Sequence, residues 1–149
     1  MQSIVIGIDP DADKHGIAIY RDGQLDDLCR LNTVGLVGLL SRYTGVMLLV
    51  SMEDVMANKF IYERNEKSTR AQQSKVAIAV GRCQQSQAEL ERWLDHLGVA
   101  YRKHAPQAGN WAKNKSYFER ITGWRGLSNE DTRSAAYFGF LEAKREKRI

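Results

Sequence analysis

Residues 3–9 read Ser-Ile-Val-Ile-Gly-Ile-Asp, an apolar run that ends on the carboxylate of Asp9. Residues 46–53 read Val-Met-Leu-Leu-Val-Ser-Met-Glu, a second apolar run that is closed by Glu53. Such runs are typical of strands that are covered on both faces in the middle of a sheet. Acids at the ends of these strands point into the crevice where open α/β sheets bind ligands. The two runs therefore predict an α/β fold with two carboxylates at one edge of its sheet.

The segments after the first run predict two more strands. Gly16–Tyr20 is apolar, and Asp22-Gly23 is a strong signal for a tight hairpin turn. Residues 25–31 form a more polar strand of the kind that a sheet edge tolerates. Three antiparallel strands therefore open the chain, and a short helix over about residues 34–43 connects them to the second buried run.

The longest predicted helix runs from about Thr69 to His96 and stops at Gly98, which is a C-terminal signal. Along it, side chains at alternating spacings of three and four residues form a stripe: Val76, Val80, Cys83, Gln87, Leu90, Leu94 and Leu97. We expect this stripe to lie on the sheet. Small residues beside it would let the helix of a second copy approach closely: Ala77, Ala79 and Gly81.

The last third of the chain predicts a strand over residues 99–103, a helix over 110–121 and a terminal helix over about 128–144. Ser128 or Asn129 would cap the terminal helix. The 149 residues suit one domain, and no repeat or low-complexity segment divides them. We therefore expect residues 1–149 to form a single α/β domain on a mixed five-stranded sheet.

Charge and cysteine content narrow the functional class. The formal net charge is +4 and the pI is about 9.1, with basic residues concentrated over 59–75, 102–125 and 144–148. This distribution favours a polyanionic partner such as a nucleic acid. Cys29 and Cys83 lack the spacing of a zinc site or a disulfide framework. No run has the length of a membrane span and no signal-peptide pattern opens the chain, so we expect a cytoplasmic protein.

The order of strands and acids is similar to that of the RNase H-like nucleases. Gly7-Ile8-Asp9-Pro10 followed by Gly16-Ile17-Ala18 resembles the first hairpin of the RuvC-type Holliday-junction resolvases. Met52-Glu53-Asp54-Val55 resembles their second acidic motif, and Asp131-Thr132-Arg133-Ser134-Ala135-Ala136 resembles their C-terminal acidic helix. The resemblance covers nearly the whole chain. It implies an RNase H-like fold and a metal-dependent endonuclease that cuts branched DNA, such as Holliday junctions, and leaves 5′-phosphate ends.

The same resemblance implies a site for two Mg²⁺ or Mn²⁺ ions, held by Asp9, Glu53 and Asp131. Hard divalent ions prefer carboxylate oxygens, and two ions can flank a scissile phosphate. The family usually places a second acid one helical turn along the last motif, where this chain has Ser134. Asp11 from the first turn, or a water held by Ser134, would then complete the site, and the choice stays open. Taken alone, Asp131 would also fit a charge that stabilises a helix N-terminus.

Basic and aromatic side chains are the candidates for DNA contact. Lys113 and Lys115 lie in a predicted helix near the C-terminal acidic motif, where Lys113 would hold the substrate phosphate or stabilise the transition state. An ordinary solvated face fits both lysines equally. Aromatic rings among basic residues would stack on unpaired bases or else cover the core. This group consists of Lys59, Phe60, Tyr62, Arg64, Lys67 and Arg70.

Several alternatives compete with the junction nuclease. An RNA-processing nuclease of the YqgF type shares a similar Gly-Ile-Asp-Pro opening but commonly lacks so long a central helix. A catalytically silent nucleic-acid-binding module of the same fold is consistent with Ser134. An actin-like kinase is disfavoured because the chain is too short for two lobes. The cleavage of two symmetric strands favours a homodimer. We expect the dimer to form through the long helix around residues 70–97. We expect the protein to act in a bacterium or a phage-infected cell.

Overall fold

The chain forms a mixed five-stranded sheet that is covered by helices. The computed structural model describes residues 2–43, 46–57 and 69–146. Its elements are β1 Ser3–Asp9, β2 His15–Arg21, β3 Gln24–Leu31, α1 Thr33–Leu40, β4 Met47–Glu53, a short 3-10 helix Val55–Ala57, α2 Arg70–Leu97, β5 Ala100–His104, α3 Lys115–Thr122 and α4 Glu130–Glu146. The strand order is β3-β2-β1-β4-β5. β1–β2 and β2–β3 are antiparallel, whereas β1–β4 and β4–β5 are parallel. The predicted sheet is therefore confirmed.

Local signals set the bounds of the long helix. The side chain of Thr69 accepts a hydrogen bond from the amide of Gln72, and the Gln72 side chain bonds back to the Thr69 amide. This capping box satisfies two amides that the first turn leaves without helical partners. Gly98 ends the helix in the left-handed conformation, with φ 69°. The predicted start and end agree with these bounds to within one residue.

The helix predicted over residues 110–121 begins later, at Lys115. The side chain of Asn114 accepts a hydrogen bond from the amide of Tyr117 and so caps the helix. Upstream, the side chain of Asn110 accepts from the amide of Ala112, which favours a turn over helix at residues 111–113. Two asparagines that compete for backbone amides therefore shorten the predicted helix.

The two faces of the sheet carry separate cores. Alternate residues of β1, Ile4, Ile6 and Ile8, pack with α1 and α2. The residues between them belong to the opposite face, where Val5 packs with α3, α4 and the ring of Trp111. Because strand side chains alternate between faces, Asp9 lies on the α4 face.

Two glycines allow α4 to lie directly on the strands. A Cβ added to Gly7 of β1 would collide with the carbonyl of Ala135 and would come within 2.6 Å of the amide nitrogen of Gly139. A Cβ added to Gly16 of β2 would collide with the backbone carbonyl of Asp131. The missing side chains therefore bring the first turns of α4 onto the ends of β1 and β2.

The predicted stripe of α2 covers the sheet only along its C-terminal half. Within the stripe, Gln87, Leu90 and Leu94 are buried, whereas Val76 and Leu97 at its two ends are 41% and 37% exposed. A helix of 28 residues is about 42 Å long, while the seven-residue strand β4 spans only about 23 Å. The N-terminal half of α2 therefore projects beyond the sheet. Over residues 2–43, 46–57 and 69–146, none of the helices has both the length and the hydrophobicity of a membrane span.

Candidate active site

A row of five residues crosses the sheet at the level where β1 ends. Arg30 of β3 pairs with Gly16 of β2, and Gly16 pairs with Asp9 of β1. Glu53 of β4 pairs with His104 of β5, and the register of β1 with β4 places Asp9 beside Glu53. Side chains at paired positions point to the same face of a sheet. The row therefore presents its charged groups to α4.

The carboxyl groups of Asp9 and Glu53 share a hydrogen bond at the centre of this row. Burial, and secondly the charge of Glu53, raise the pKa of Asp9 to about 8. Burial also raises the pKa of Glu53, and the hydrogen bond from Asp9 partly offsets that rise. Without metal, Asp9 therefore carries a proton at neutral pH, because its partial burial disfavours the charged form and the charge of Glu53 adds repulsion. A divalent cation would relieve this repulsion.

Asp131 and Ser134 approach the acid pair from α4. The hydroxyl of Ser134 is buried and donates a hydrogen bond to Asp9, which lowers the Asp9 pKa. The charge of Asp131 raises that pKa by a smaller amount than Glu53 does. The one-turn spacing on α4 thus places Asp131 and Ser134 on the face of the helix near the strand ends, and Ser134 contacts Asp9 directly.

These side chains suit a hard divalent ion, because every atom that they could offer as a ligand is an oxygen. The carboxylate of Asp131 is turned toward β3, where its Oδ2 lies 3.5 Å from Nη2 of Arg30. Among the described residues, no group of three or more His, Cys, Asp or Glu side chains is arranged to hold an ion. A third carboxylate therefore joins Asp9 and Glu53 only if Asp131 leaves Arg30.

Asp11, the other candidate ligand, makes its contacts within its turn and with α2. Its Oδ1 accepts a hydrogen bond of 2.6 Å from the amide of Ala12 and lies 3.7 Å from the Cys83 thiol. Its amide donates to Nδ1 of the buried His15, 3.1 Å away. Of the two predicted completions of the site, Ser134 is therefore the one that contacts Asp9.

Helix α2 holds the loops that follow both acids. The hydroxyl of Ser86 donates to the carbonyl of Asp11 at 2.7 Å. The side chain of Gln87 accepts from the amide of Val55 at 2.7 Å and donates to Asp54 at 3.0 Å. A buried glutamine within an apolar stripe was the sequence signal for this contact. These bonds fix the chain directly after Asp9 and Glu53.

The predicted DNA-contact residues lie in three different settings. Lys113 and Lys115 are exposed before and at the start of α3, and Arg70 is exposed at the start of α2. Arg133 ties the Lys113 turn to α4, because its Nε and Nη2 donate to the carbonyl of Ala112 at 3.0 and 2.8 Å. The remaining candidates lie outside the described residues: Lys59, Phe60, Tyr62, Arg64 and Lys67.

Glu142 and Arg30 extend the charged groups to both sides of the acid pair, and the sequence did not predict either one. Glu142 of α4 is buried, with Oε1 3.2 Å from Nε2 of His104 and Oε2 3.5 Å from Nη1 of Arg102. In sequence both residues resemble ordinary surface charges. Only the strand register and the path of α4 place them near the site.

The mixed five-stranded sheet, with its strand order and flanking helices, is that of the RNase H-like fold. Two solved structures share it over nearly the whole chain. T. thermophilus RuvC in complex with Holliday junction substrate is 14% identical with a TM-score of 0.57, over 98% of this chain and 94% of that one. A second Thermus thermophilus RuvC structure is 13% identical with a TM-score of 0.54, over 97% and 95%. The predicted resemblance is therefore confirmed for the fold.

In sequence, the chain matches no protein-family model and no curated protein. The likeness to RuvC accordingly rests on the arrangement of the backbone.

Proposed function

We propose that the chain is a metal-dependent, structure-selective endodeoxyribonuclease that resolves branched DNA such as Holliday junctions and leaves 5′-phosphate ends. The observation that carries this proposal is the pair of half-buried carboxylates Asp9 and Glu53 at the ends of two neighbouring strands, with Ser134 and Asp131 close to Asp9. The fold supports it, since one structure of the same fold is RuvC with a Holliday junction substrate. A single nuclease domain over residues 1–149 and a cytoplasmic location belong to the same proposal.

Asp9, Glu53 and Asp131 would hold two Mg²⁺ or Mn²⁺ ions. When bound, such ions lower the pKa of an attacking water and stabilise the leaving 3′-oxygen. Ser134 would orient the Asp9 carboxylate through the hydrogen bond that it already donates. Lys113 would hold the phosphate, since Arg133 ties its turn to α4 close to Asp131.

The DNA strands would approach the site across the exposed basic residues. Lys115 and Arg70 would bind backbone phosphates. The segment before α2 would add charge and stacking through Lys59, Phe60, Tyr62, Arg64 and Lys67. Each cation that binds a phosphate contributes to a salt-dependent affinity.

The proposed enzyme is a homodimer, because a four-way junction presents two symmetric strands for cleavage. The projecting half of α2 supports this assembly. Its exposed stretch Val76-Ala77-Ile78-Ala79 is apolar on every side of the helix. This single apolar turn is stabilised when it is covered, and a second copy of the same helix would cover it.

A cleavage assay tests the function. A four-way DNA junction, linear duplex and structured RNA are each incubated with the protein in EDTA, Mg²⁺ or Mn²⁺. We expect cutting of the junction with either ion and none in EDTA, and we expect Asp9→Asn and Glu53→Gln to bind the junction without cutting it. Preferential cleavage of RNA, or full activity in either variant, would reject the proposal.

A second candidate is a nucleic-acid-binding module of the same fold that does not cut. It is favoured by Ser134, which stands where a further acid is expected, and by the pairing of Asp131 with Arg30. Metal-independent junction binding, with no product in Mg²⁺ or Mn²⁺, would select this candidate.

A further inference from the structure

Arg30, at the sheet edge, contacts a candidate metal ligand directly. Its Nη2 lies 3.5 Å from Oδ2 of Asp131. Gly16 lies between Arg30 and Asp9 in the sheet row, and its lack of a side chain lets the first turn of α4 lie on β2. The backbone of three strands and one helix therefore brings Arg30 and Asp131 together.

The carboxylate of Asp131 has two competing uses, because it pairs with either the guanidinium or a metal ion. The side chains of Arg30 and Asp131 are 41% and 39% exposed, so water can solvate each of them after they separate. Exposed ion pairs of this kind are weak. A divalent cation beside Asp9 and Glu53 offers Asp131 a larger positive charge. An ion would therefore open the pair.

We propose, on the basis of the nuclease function above, that Arg30 is a positioning residue that holds Asp131 on the β3 side until a divalent ion displaces it. In the metal-free protein, the guanidinium neutralises a carboxylate that would otherwise place a further negative charge beside the half-buried pair of Asp9 and Glu53. Loading an ion moves Asp131 toward Asp9 and Glu53 and releases Arg30. Arg30 thus lowers the affinity for metal while it limits repulsion in the metal-free site.

The test is a calorimetric titration of the full chain with Mn²⁺ in the absence of DNA. Arg30→Gln should bind Mn²⁺ about two- to fivefold more tightly than the wild type, which is the range expected for loss of an exposed ion pair. Arg30→Lys should show a smaller gain, because lysine keeps the charge but lacks the planar fork. The matched control is Arg21→Gln, since Arg21 pairs with Asp26 at 3.4 Å on the same hairpin, away from the row. It should keep wild-type affinity.

The Asp131→Asn background separates the specific pair from general repulsion. There, adding Arg30→Gln should change the Mn²⁺ affinity by less than about twofold. Unchanged or weaker Mn²⁺ binding in Arg30→Gln and Arg30→Lys would overturn the proposal. An equal gain with and without Asp131 would also overturn it.

The Mn²⁺ titration and the cleavage assay test the two proposals independently. Tighter Mn²⁺ binding in Arg30→Gln without junction cleavage by the wild type would reject the nuclease and support the role of Arg30. Metal-dependent cleavage with equal Mn²⁺ affinity in wild type and Arg30→Gln would reject Arg30 alone. If neither the wild type nor any variant binds Mn²⁺, both proposals fall.

Discussion

At the scale of single residues, the Asp9 and Glu53 pair makes the stability of the protein depend on pH. Burial and the charge of Glu53 raise the pKa of Asp9 from 3.8 to about 8, with a smaller contribution from Asp131 and an opposing hydrogen bond from Ser134. The folded protein therefore holds the Asp9 proton more tightly than the unfolded chain does. This contribution to stability is complete below the unfolded pKa and is lost as the pH rises through about 8.

Asp9→Asn should remove this pH dependence. In EDTA, we expect the Tm of the wild type to fall between about pH 5 and about pH 9, and the Tm of the variant to fall less. The reason is that the amide stays neutral beside Glu53 over the whole range. Thermal unfolding followed by circular dichroism measures the difference, with the exposed Asp13→Asn as a control that keeps the wild-type slope. Parallel curves for Asp9→Asn and wild type would contradict the prediction.

Ser134→Asp places a further carboxylate where the hydroxyl of Ser134 now donates to Asp9. Position 134 is 3% exposed, so the added charge should destabilise the protein in EDTA and strengthen Mn²⁺ binding by about tenfold. The measurement is the Tm in EDTA together with a Mn²⁺ titration. Ser134→Asn is the control of matched size, and an equal gain in that variant would show that charge is not the cause.

The sequence predicted where the three candidate acids lie in the fold, because Asp9 and Glu53 end apolar strands and Asp131 begins a helix. It did not predict Arg30, because the partner of Arg30 depends on the register of an edge strand. That register shifts between Ile19 and Tyr20 through an irregularity in the pairing of β2 with β3. A shift of one residue moves every side chain to the other face, so pattern alone could not assign Arg30 to the α4 side.

At the scale of secondary-structure elements, α4 packs closely on β1 and β2 because Gly7 and Gly16 have no side chains. Gly7→Ala would place a Cβ against the backbone of Ala135 and Gly139, which can yield only if α4 moves. We expect a loss of about 2–3 kcal/mol in the free energy of unfolding. Mn²⁺ binding should also weaken, because Asp131 and Ser134 move with the helix. Urea unfolding and a Mn²⁺ titration measure the two effects.

Gly38→Ala is the control for this substitution. Gly38 lies within α1, and a Cβ there would meet no atom within 4 Å. Alanine should therefore stabilise the helix by about 0.5–1 kcal/mol. Equal effects of the two substitutions would show that close packing of α4 on β1 is not the cause.

The sequence predicts the end of a helix correctly where only one nearby residue can act as its cap. Thr69 and Gly98 bound α2 as predicted, and the paired hydrogen bonds of Asn129 and Thr132 cap α4 as predicted. Prediction failed at α3, where Asn110 and Asn114 both capture backbone amides and the second one sets the start. The sequence alone does not show which of two neighbouring asparagines caps the helix, because both can accept from a backbone amide.

At the scale of the whole molecule, α2 is longer than the sheet that it covers. The apolar stripe of α2 predicted contact with the sheet along the full helix. Periodicity shows which face of a helix is buried, but it does not show how much of the helix the sheet covers. Leu90 of the stripe is fully buried, whereas Val76 of the stripe is 41% exposed on the projecting half, next to Ile78, which is 62% exposed. The same helix therefore has one half that belongs to the core and one half that is available to a partner.

Ile78→Glu should convert the proposed dimer to a monomer, because it adds a charge to the proposed interface. The Tm of the variant should stay within a few degrees of the wild-type value, because the residue lies on exposed helix surface. Light scattering on a size-exclusion column measures the mass. Val34→Glu is the matched control, since Val34 is also an exposed apolar residue of a helix, and it should keep the dimer mass. Leu90→Glu should unfold the chain instead. A monomeric wild type, or a dimer that Ile78→Glu leaves intact, would exclude the projecting half of α2 as the dimer interface. The proposed cleavage of two symmetric junction strands would then require the two active sites to be paired through another surface.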